Sequence, residues 1–399
     1  MMNRKPQPSA DPAPTPDDSL LLTRARVVLA DEVVDDLAIL VEAGRIAALD
    51  PAAAGARTID LSGRLLMPGM IDLHCDALEK EVEPRPNVHF PLDFACAQAD
   101  KRNAAAGITT VYHALSFANH ELGVRNNAFA AEIARAIHAW RPHALVDNRV
   151  HARYEVTDES AHPVLRILIE RGEAHLISFM DHSPGQGQFR DVEAYRDYLA
   201  RTYRTDADAL DEILARKLQA TEGALARMQT LARLARDHGV AIASHDDDTP
   251  EKVAILKSLG AVISEFPINL ETAKAAQTHG LATLFGAPNI LRGKSQAGNM
   301  RALDAVLAGA ADCLCGDYSP AALLPSVMKL PETADLSLAQ AVALVTRNPA
   351  RAAGLLDRGE IAVGKRADLV AVKRLGGLMQ AERVWSGGRA ALSAHFDHA

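Results

Sequence analysis

Apolar and polar positions along this chain change rhythm twice. Between residues 20 and 60, short apolar runs at Leu20–Thr23, Ala25–Leu29, Asp36–Val41 and Arg45–Asp50 are separated in places by turn residues such as Asp31-Glu32 and Gly44. That texture predicts meander-like strands. It returns near the other end, in Gly359-Glu360-Ile361, Gly364 to Val372 and Val384 to Arg389. Between the two, strand-like and helix-like segments alternate. Strand candidates are Met70–Leu73, Thr109–Ala114, Leu145–Glu155, His175–His182, Ala241–His245, Ala261–Pro267, Ala282–Ala287 and Cys313–Asp317. Helical periodicity lies between most of them, at Glu121–Trp140, His162–Gly172, Asp206–His238, Thr249–Leu259, Leu270–His279 and Gly298–Ala308. The longest of these places Leu210, Ile213, Leu214, Leu225 and Met228 close to a 3.6-residue spacing. Thr205 or Asp206 could cap it and Gly239 could end it.

Eight strands over about 250 residues is the content of a (β/α)8 barrel. An open doubly wound sheet also fits the alternation, but no Gly-rich phosphate loop follows the first strand. The expected fold is therefore α/β, a TIM-like barrel over residues 65–357. A small β-sandwich domain is expected from both termini, residues 20–64 and 358–399. Residues 1–19, rich in Pro, Asp and Ser, read as a disordered tail.

The first barrel strand carries the sharpest chemistry. Leu65 to Leu73 is an apolar run broken by Pro68-Gly69, and it ends abruptly in His74-Cys75-Asp76. In regular extended geometry His74 and Asp76 project to one face, half of a divalent-metal site, and Cys75 points away into the core. A lone His at a strand end is more often structural. Here, however, Glu155, His182, His245 and Asp317 close later strands, and a barrel builds its site at those ends. His74, Asp76, Glu155, His182, His245 and Asp317 are thus the expected metal ligands. Nitrogen and oxygen donors without thiolate suit one or two divalent ions, zinc first, with manganese, iron or nickel also compatible. A carboxylate such as Glu155 can bridge two ions and so activate a shared water. Asp317 is expected to be catalytic as well, taking that water's proton.

Composition narrows the field without choosing. Hydrophobic residues make up 48% and charged residues 24% of 399 residues, ordinary for a globular protein. A net charge of −8 gives no footprint for nucleic acid. No apolar run is long enough to span a membrane, and no signal-peptide core precedes Leu20. A cytoplasmic enzyme is expected, and a homo-oligomer is compatible. Cys75, Cys96, Cys313 and Cys315 are too few and too irregular for a disulfide framework. Locally the balance is different. Lys80, Arg85, Arg153, Arg292 and Lys294 fall at strand ends or in the loops after them, and are the expected contacts to an anionic small molecule. Glu83-Pro84-Arg85-Pro86 and Asn289 to Ser295 are expected to be phosphate-holding loops, with Ser183 to Gln188 as a weaker third.

The Pro68 to His74 segment, together with Gly364-Lys365-Arg366-Ala367-Asp368-Leu369-Val370, resembles the amidohydrolase superfamily. Several stretches look like its PhnM-like branch, which serves the carbon–phosphorus lyase pathway. They are His74 to Lys80 with Pro84-Arg85-Pro86, Phe179 to Gln186, Ala243 to Asp247, Glu265-Phe266-Pro267, Gly286-Ala287-Pro288-Asn289 with Arg292-Gly293, and Gly316 to Pro320. The resemblance covers roughly residues 20 to 395. It implies a diphosphatase that converts α-D-ribose 1-methylphosphonate 5-triphosphate to 5-phospho-α-D-ribose 1-methylphosphonate and pyrophosphate. The superfamily usually opens with His-x-His, whereas this chain has His74-x-Asp76, as PhnM-like sequences do. His113 stands where relatives carry an acidic residue. The competing expectations are a C–N amidohydrolase or deaminase acting on a cyclic substrate, and a catalytically silent barrel within a larger assembly.

Overall fold

Short strands joined by tight turns bury a face only by pairing with one another. The computed structural model of the protein describes residues 19–52, 55–119, 126–181, 223–294 and 300–396. The first five strands are β1 (Leu20–Val28), β2 (Val33–Glu42), β3 (Arg45–Leu49), β4 (Arg57–Asp60) and β5 (Leu65–Pro68). The two expected runs at 20–29 are one strand, irregular in register around Arg24, whose φ is +60°. β4 and β5 pair in parallel with the first and second halves of β1.

Eight parallel strands follow: β6 (Met70–Cys75), β7 (Ile108–Phe117), β8 (Asp147–Glu155), β9 (Leu176–Met180), β10 (Ala241–His245), β11 (Ile263–Glu265), β12 (Ala282–Gly286) and β13 (Cys313–Cys315). They pair in chain order, and a bridge between Cys75 and Asp317 brings the last strand onto the first. This is the expected (β/α)8 barrel. Its interior is filled by alternate residues, among them Leu73, Tyr112, Leu176, Ala243, Ile263 and Leu284. The opposite faces pack against helices. Asn127–Trp140, Ala161–Glu170 and Ala224–Asp237 supply one large part of that layer. The helices Leu92–Ala106 and Leu323–Thr333, which periodicity did not single out, supply another. Gly239 has φ +67° and follows the end of the Ala224–Asp237 helix. Residues 1–18, the part of the expected helix before 223, the loop Ser183 to Gln188 and His182 lie outside the described residues.

Three C-terminal strands, β14 (Leu369–Leu375), β15 (Leu378–Ser386) and β16 (Arg389–Ser393), join the first sheet, β14 pairing antiparallel with β5. Leu65–Pro68, expected in the barrel, is thus a strand of this sheet. The expected sandwich is one continuous eight-stranded sheet. It rolls on itself: the Ile46 N–H donates to Lys365 O at 2.9 Å, and the Gly364 N–H to Ile46 O at 2.8 Å. Gly359 to Ile361 forms no strand. Gly69 joins the two sheets where a Cβ would overlap Thr109, so this crossing demands glycine.

Candidate metal centre

Strand alternation alone would turn His74 away from the barrel axis, because Leu73 already faces inward. The β6–β7 register slips between Asp72 and Cys75. Such a bulge re-aims side chains, and it brings His74 inward beside Leu73. Asp72 fastens the place. It is fully buried and accepts the Gly316 N–H at 3.0 Å and the His74 N–H at 3.2 Å, latching the first barrel strand to the last. A Cβ at Gly316 would collide with that carboxylate.

Three later strand ends share a second device. Asp246, Phe266 and Asp317 directly follow, or lie just beyond, the last residues of β10, β11 and β13, and have φ of +50°, +52° and +53°. A left-handed residue turns the chain sharply outward, and for a phenylalanine it is strained. The bends leave His245 and Glu265 as the last inward side chains of their strands, in register with each other.

These side chains converge. Among the described residues, His74, His245 and Glu265 form a group whose ligand atoms all lie within 4.8 Å of one another, and all three are buried. His245 Nδ1 is 3.1 Å from Glu265 Oε2, and His74 Nδ1 is 3.3 Å from Glu265 Oε1. The two imidazoles stack at 5.5 Å between centroids. The Phe266 ring meets both edge-on, at 4.9 and 5.3 Å. His151 backs the group but is fully engaged: Nδ1 bonds Leu73 O at 3.1 Å and Nε2 meets Ser178 Oγ at 2.8 Å. A carbonyl can only accept, so Nδ1 carries the proton and Nε2 receives the serine hydroxyl's.

Electrostatically the group wants a cation. Burial, with Arg153 beside it, lowers His74 to about 3, so its imidazole is neutral and fit to ligate. Burial raises Glu265 to about 7. Asp317 also rises to about 7, first by burial and then by the neighbouring negative charge of Asp76. His74 Nδ1 and Glu265 Oε1 are buried without a hydrogen-bond partner although they face each other. Two imidazoles, that of His74 neutral, and a carboxylate with one oxygen unbonded around one point fit a divalent ion of the zinc type.

The expected ligands divide accordingly. His74 and His245 are in the group. Glu265, the last residue of β11, belongs to it and was not among the expected ligands, although an acidic residue closing the run from Ala261 was a readable signal. Asp76 lies just past the strand, at the N-terminal boundary of the helix Ala77–Val82 and with no capping hydrogen bond from its side chain. It is outside the group of three, but its charge reaches His74 and Asp317. Glu155 and Asp317 sit at their strand ends but outside the group of three. Glu155 accepts the Thr157 hydroxyl at 2.7 Å. Asp317 lies over Gly286, where a Cβ would stand 3.2 Å from Oδ2. His182 lies outside the described residues.

The cations divide too. Arg153 is buried at 8% exposure, its Nε has no hydrogen-bond partner, and its charge acts on His74, Glu265 and Asp317. Lys80, Arg85, Arg292 and Lys294 are exposed. Arg85 sits in a tight turn closed by the Val88 N–H on Arg85 O at 3.0 Å. The expected loop from Asn289 is instead the last part of a helix, Ala287–Arg292, with Pro288 in its first turn and Gly293 at φ +75° after it. Its final residue, Arg292, donates to the Tyr318 hydroxyl at 3.1 Å, beside Asp317. His113 is mid-strand and turned to the helix layer, where it meets Asn148 Oδ1 at 2.8 Å.

Comparison with known proteins agrees with this geometry. A sequence model of the amidohydrolase family matches residues 97–389. The chain is 36% identical over 376 residues to the alpha-D-ribose 1-methylphosphonate 5-triphosphate diphosphatase of Escherichia coli, covering 93% of this chain and 99% of that protein. Among solved structures it resembles the N-acetylglucosamine-6-phosphate deacetylase of Pasteurella multocida, with a TM-score of 0.62, 11% identity and coverage of 93% and 99% of the two chains. It also resembles the dihydropyrimidinase of Brevibacillus agri, with a TM-score of 0.55, 13% identity and coverage of 94% and 95%. At those identities the structures speak for the fold alone.

Proposed function

This chain belongs to the amidohydrolase family, and from that premise we propose that it is a metal-dependent diphosphatase acting on α-D-ribose 1-methylphosphonate 5-triphosphate. Water adds to the phosphorus nearest the ribose, the phosphoanhydride bond to the next phosphorus breaks, and pyrophosphate leaves. One or two divalent ions, zinc first, would be held by His74, His245 and Glu265, with Asp76, Glu155, His182 and Asp317 as further candidates. When bound, such an ion supplies Lewis-acid polarisation of a phosphoryl oxygen and an acidified water.

The chain's own residues do the rest. Arg153, buried beside the group with an unengaged Nε, would bind phosphoryl oxygens where solvent does not compete. Arg292, tied to Tyr318 at the rim, and Lys80, Arg85 and Lys294 farther out would draw in the polyanion. Asp317 would take the proton of the attacking water and pass it to the departing pyrophosphate. Phe266, edge-on to both histidines, would hold their rings in place.

Arg153 is the observation that carries the reading. A neutral cyclic amide offers nothing to a desolvated guanidinium, whereas a triphosphate does. The test is to incubate metal-loaded protein with the ribose triphosphate and with a panel of cyclic amides and N-acetyl amino sugars, following products by phosphorus NMR and chromatography. Stoichiometric pyrophosphate from the triphosphate is expected. Turnover confined to the C–N substrates would overturn the assignment.

A further inference from the structure

Behind the inward pair His245 and Glu265 stands an outward pair. Ser244 and Ser264 directly precede them and are register partners across the β10–β11 ladder. Both serines are completely buried. Both hydroxyls donate to one oxygen, Oδ2 of Asp247, itself completely buried. The Asp247 carbonyl receives the Ile268 N–H at 3.0 Å, and the Asp246 N–H reaches Glu265 O at 2.9 Å. Lys252 Nζ bonds the carbonyls of His245 and Asp246, each at 3.3 Å. One carboxylate therefore ties the backs of two strands together at the level where their fronts present ligands.

We propose that Asp247 is a positioning residue: through Ser244 and Ser264 its carboxylate buckles β10 to β11 and sets the separation of His245 and Glu265 for the ion. A mere packing role accounts poorly for the cost of the arrangement. Burying a carboxylate in a helix–barrel layer is expensive unless it is well bonded, and a serine pair with an acid is a poor way to fill space. The ladder alone does not fix the site, because β11 is only three residues long and ends at a strained Phe266. Its last residue needs support from behind, as ligating side chains commonly do. The left-handed Asp246 is what folds Asp247 back to the outer face of the same strand it has just left.

The inference rests on the metal-centre reading, and the experiment separates the two. Wild-type protein, Asp247→Asn and Ser264→Ala are purified, stripped and titrated with zinc against a chromophoric chelator, then loaded with cobalt for its visible spectrum. Asn keeps the shape of Asp247 and loses the charge that draws in both hydroxyls. Zinc affinity is expected to fall ~10–100-fold in Asp247→Asn, with a changed cobalt spectrum, and to fall less in Ser264→Ala. Turnover should drop more than the Michaelis constant rises. If both variants bind zinc as tightly as wild type with an identical cobalt spectrum, the buckle is structural and the inference is overturned, even if the melting temperature falls. If wild type itself binds no metal, the metal reading fails first. Should Asp247→Asn not fold, Ser244→Ala and Ser264→Ala carry the same readouts.

Discussion

The barrel buries charge at both of its ends and treats it in opposite ways. At the N-terminal end Asp147, opening β8, takes Arg149 at 2.9 Å and Arg358 at 2.9 Å. Arg358 also bonds Asp357 at 2.9 Å and the Thr110 hydroxyl at 3.0 Å. Burial pushes Asp147 up, yet the two guanidiniums outweigh it and hold the carboxyl below its ordinary value. At the C-terminal end burial wins. Glu265 and Asp317 are raised to about 7 and His74 is lowered to about 3. Both ends are poor in water, so desolvation alone does not distinguish them. What differs is whether the fold supplies its own counter-charge. The lower cluster sets several guanidiniums against its acids, whereas among the described residues the upper carboxylates have Arg153 alone, and on the proposed function an ion and a polyanion would complete the balance.

The sharpest way to break that comparison is at Asp317. If the upper carboxylates serve chemistry, Asp317→Asn should cut turnover ~10²–10⁴-fold while the melting temperature stays within a degree or two. Steady-state kinetics with the ribose triphosphate, beside a thermal melt, check it. Near-wild-type turnover would reduce Asp317 to the residue that turns the chain toward Tyr318.

The next effect belongs to the lower end and should be its mirror image. Arg358→Met removes one buried partner and leaves Asp147 with Arg149 and the more distant Arg141. Breaking such a network costs ~3–5 kcal/mol of stability, here toward the lower figure because Arg149 remains. Metal content and Michaelis constant should not change. Urea denaturation and elemental analysis of the same preparation decide it, and a variant that loses metal without losing stability would dissolve the distinction between the ends.

Third, Arg153→Gln tests whether the upper cation faces substrate. Losing one charge-assisted contact should weaken substrate binding by ~1.5–3 kcal/mol, with metal content near wild type. Arg292→Gln, exposed and already bonded to Tyr318, should cost less. The order reversed would move the phosphate site to the rim.

The two ends also differ in how readable they were. Barrel strands are apolar runs closed by polar residues, so the positions of His74, His245 and Asp317 could be read from pattern. Asp76 follows the last residue of its strand instead of ending it, because alternation has no term for a bulge. The Asn289 to Arg292 stretch passed for a loop, although Pro288 inside its start and Gly293 past its end are the marks of a helix. Glu265 closes a strand of only three residues, so its signal is legible but short. The lower cluster was not readable at all: Arg358 and Asp147 are 211 residues apart, and nothing local marks either one. Buried pairs between distant segments are products of the fold, whereas strand-end chemistry is written where it is used.

The smallest effect probes whether the lower end is as fully compensated as its ion pairs suggest. His175, just before β9, accepts the Val150 N–H on Nδ1 at 3.1 Å and therefore holds that nitrogen unprotonated. Burial, then the nearby charges of Arg149 and Arg141, lowers it from 6.5 to about 4. The folded protein thus refuses a proton that the unfolded chain takes, so stability is complete above the ordinary value and is lost as the pH falls from 6.5 toward 4. The slope from one such group is at most ~1.4 kcal/mol per pH unit. The upper histidines add their own acid sensitivity, so wild type alone proves nothing. His175→Gln keeps an acceptor near the Val150 N–H and removes the titration, while every other histidine is common to both proteins. By urea denaturation at pH 7 and pH 5, wild-type stability minus that of the variant should be smaller at pH 5 than at pH 7. Parallel curves would mean that His175 is as protonatable folded as unfolded. At the lower end Asp368, raised by burial despite Arg366 and Arg358, would then still be set against its surroundings.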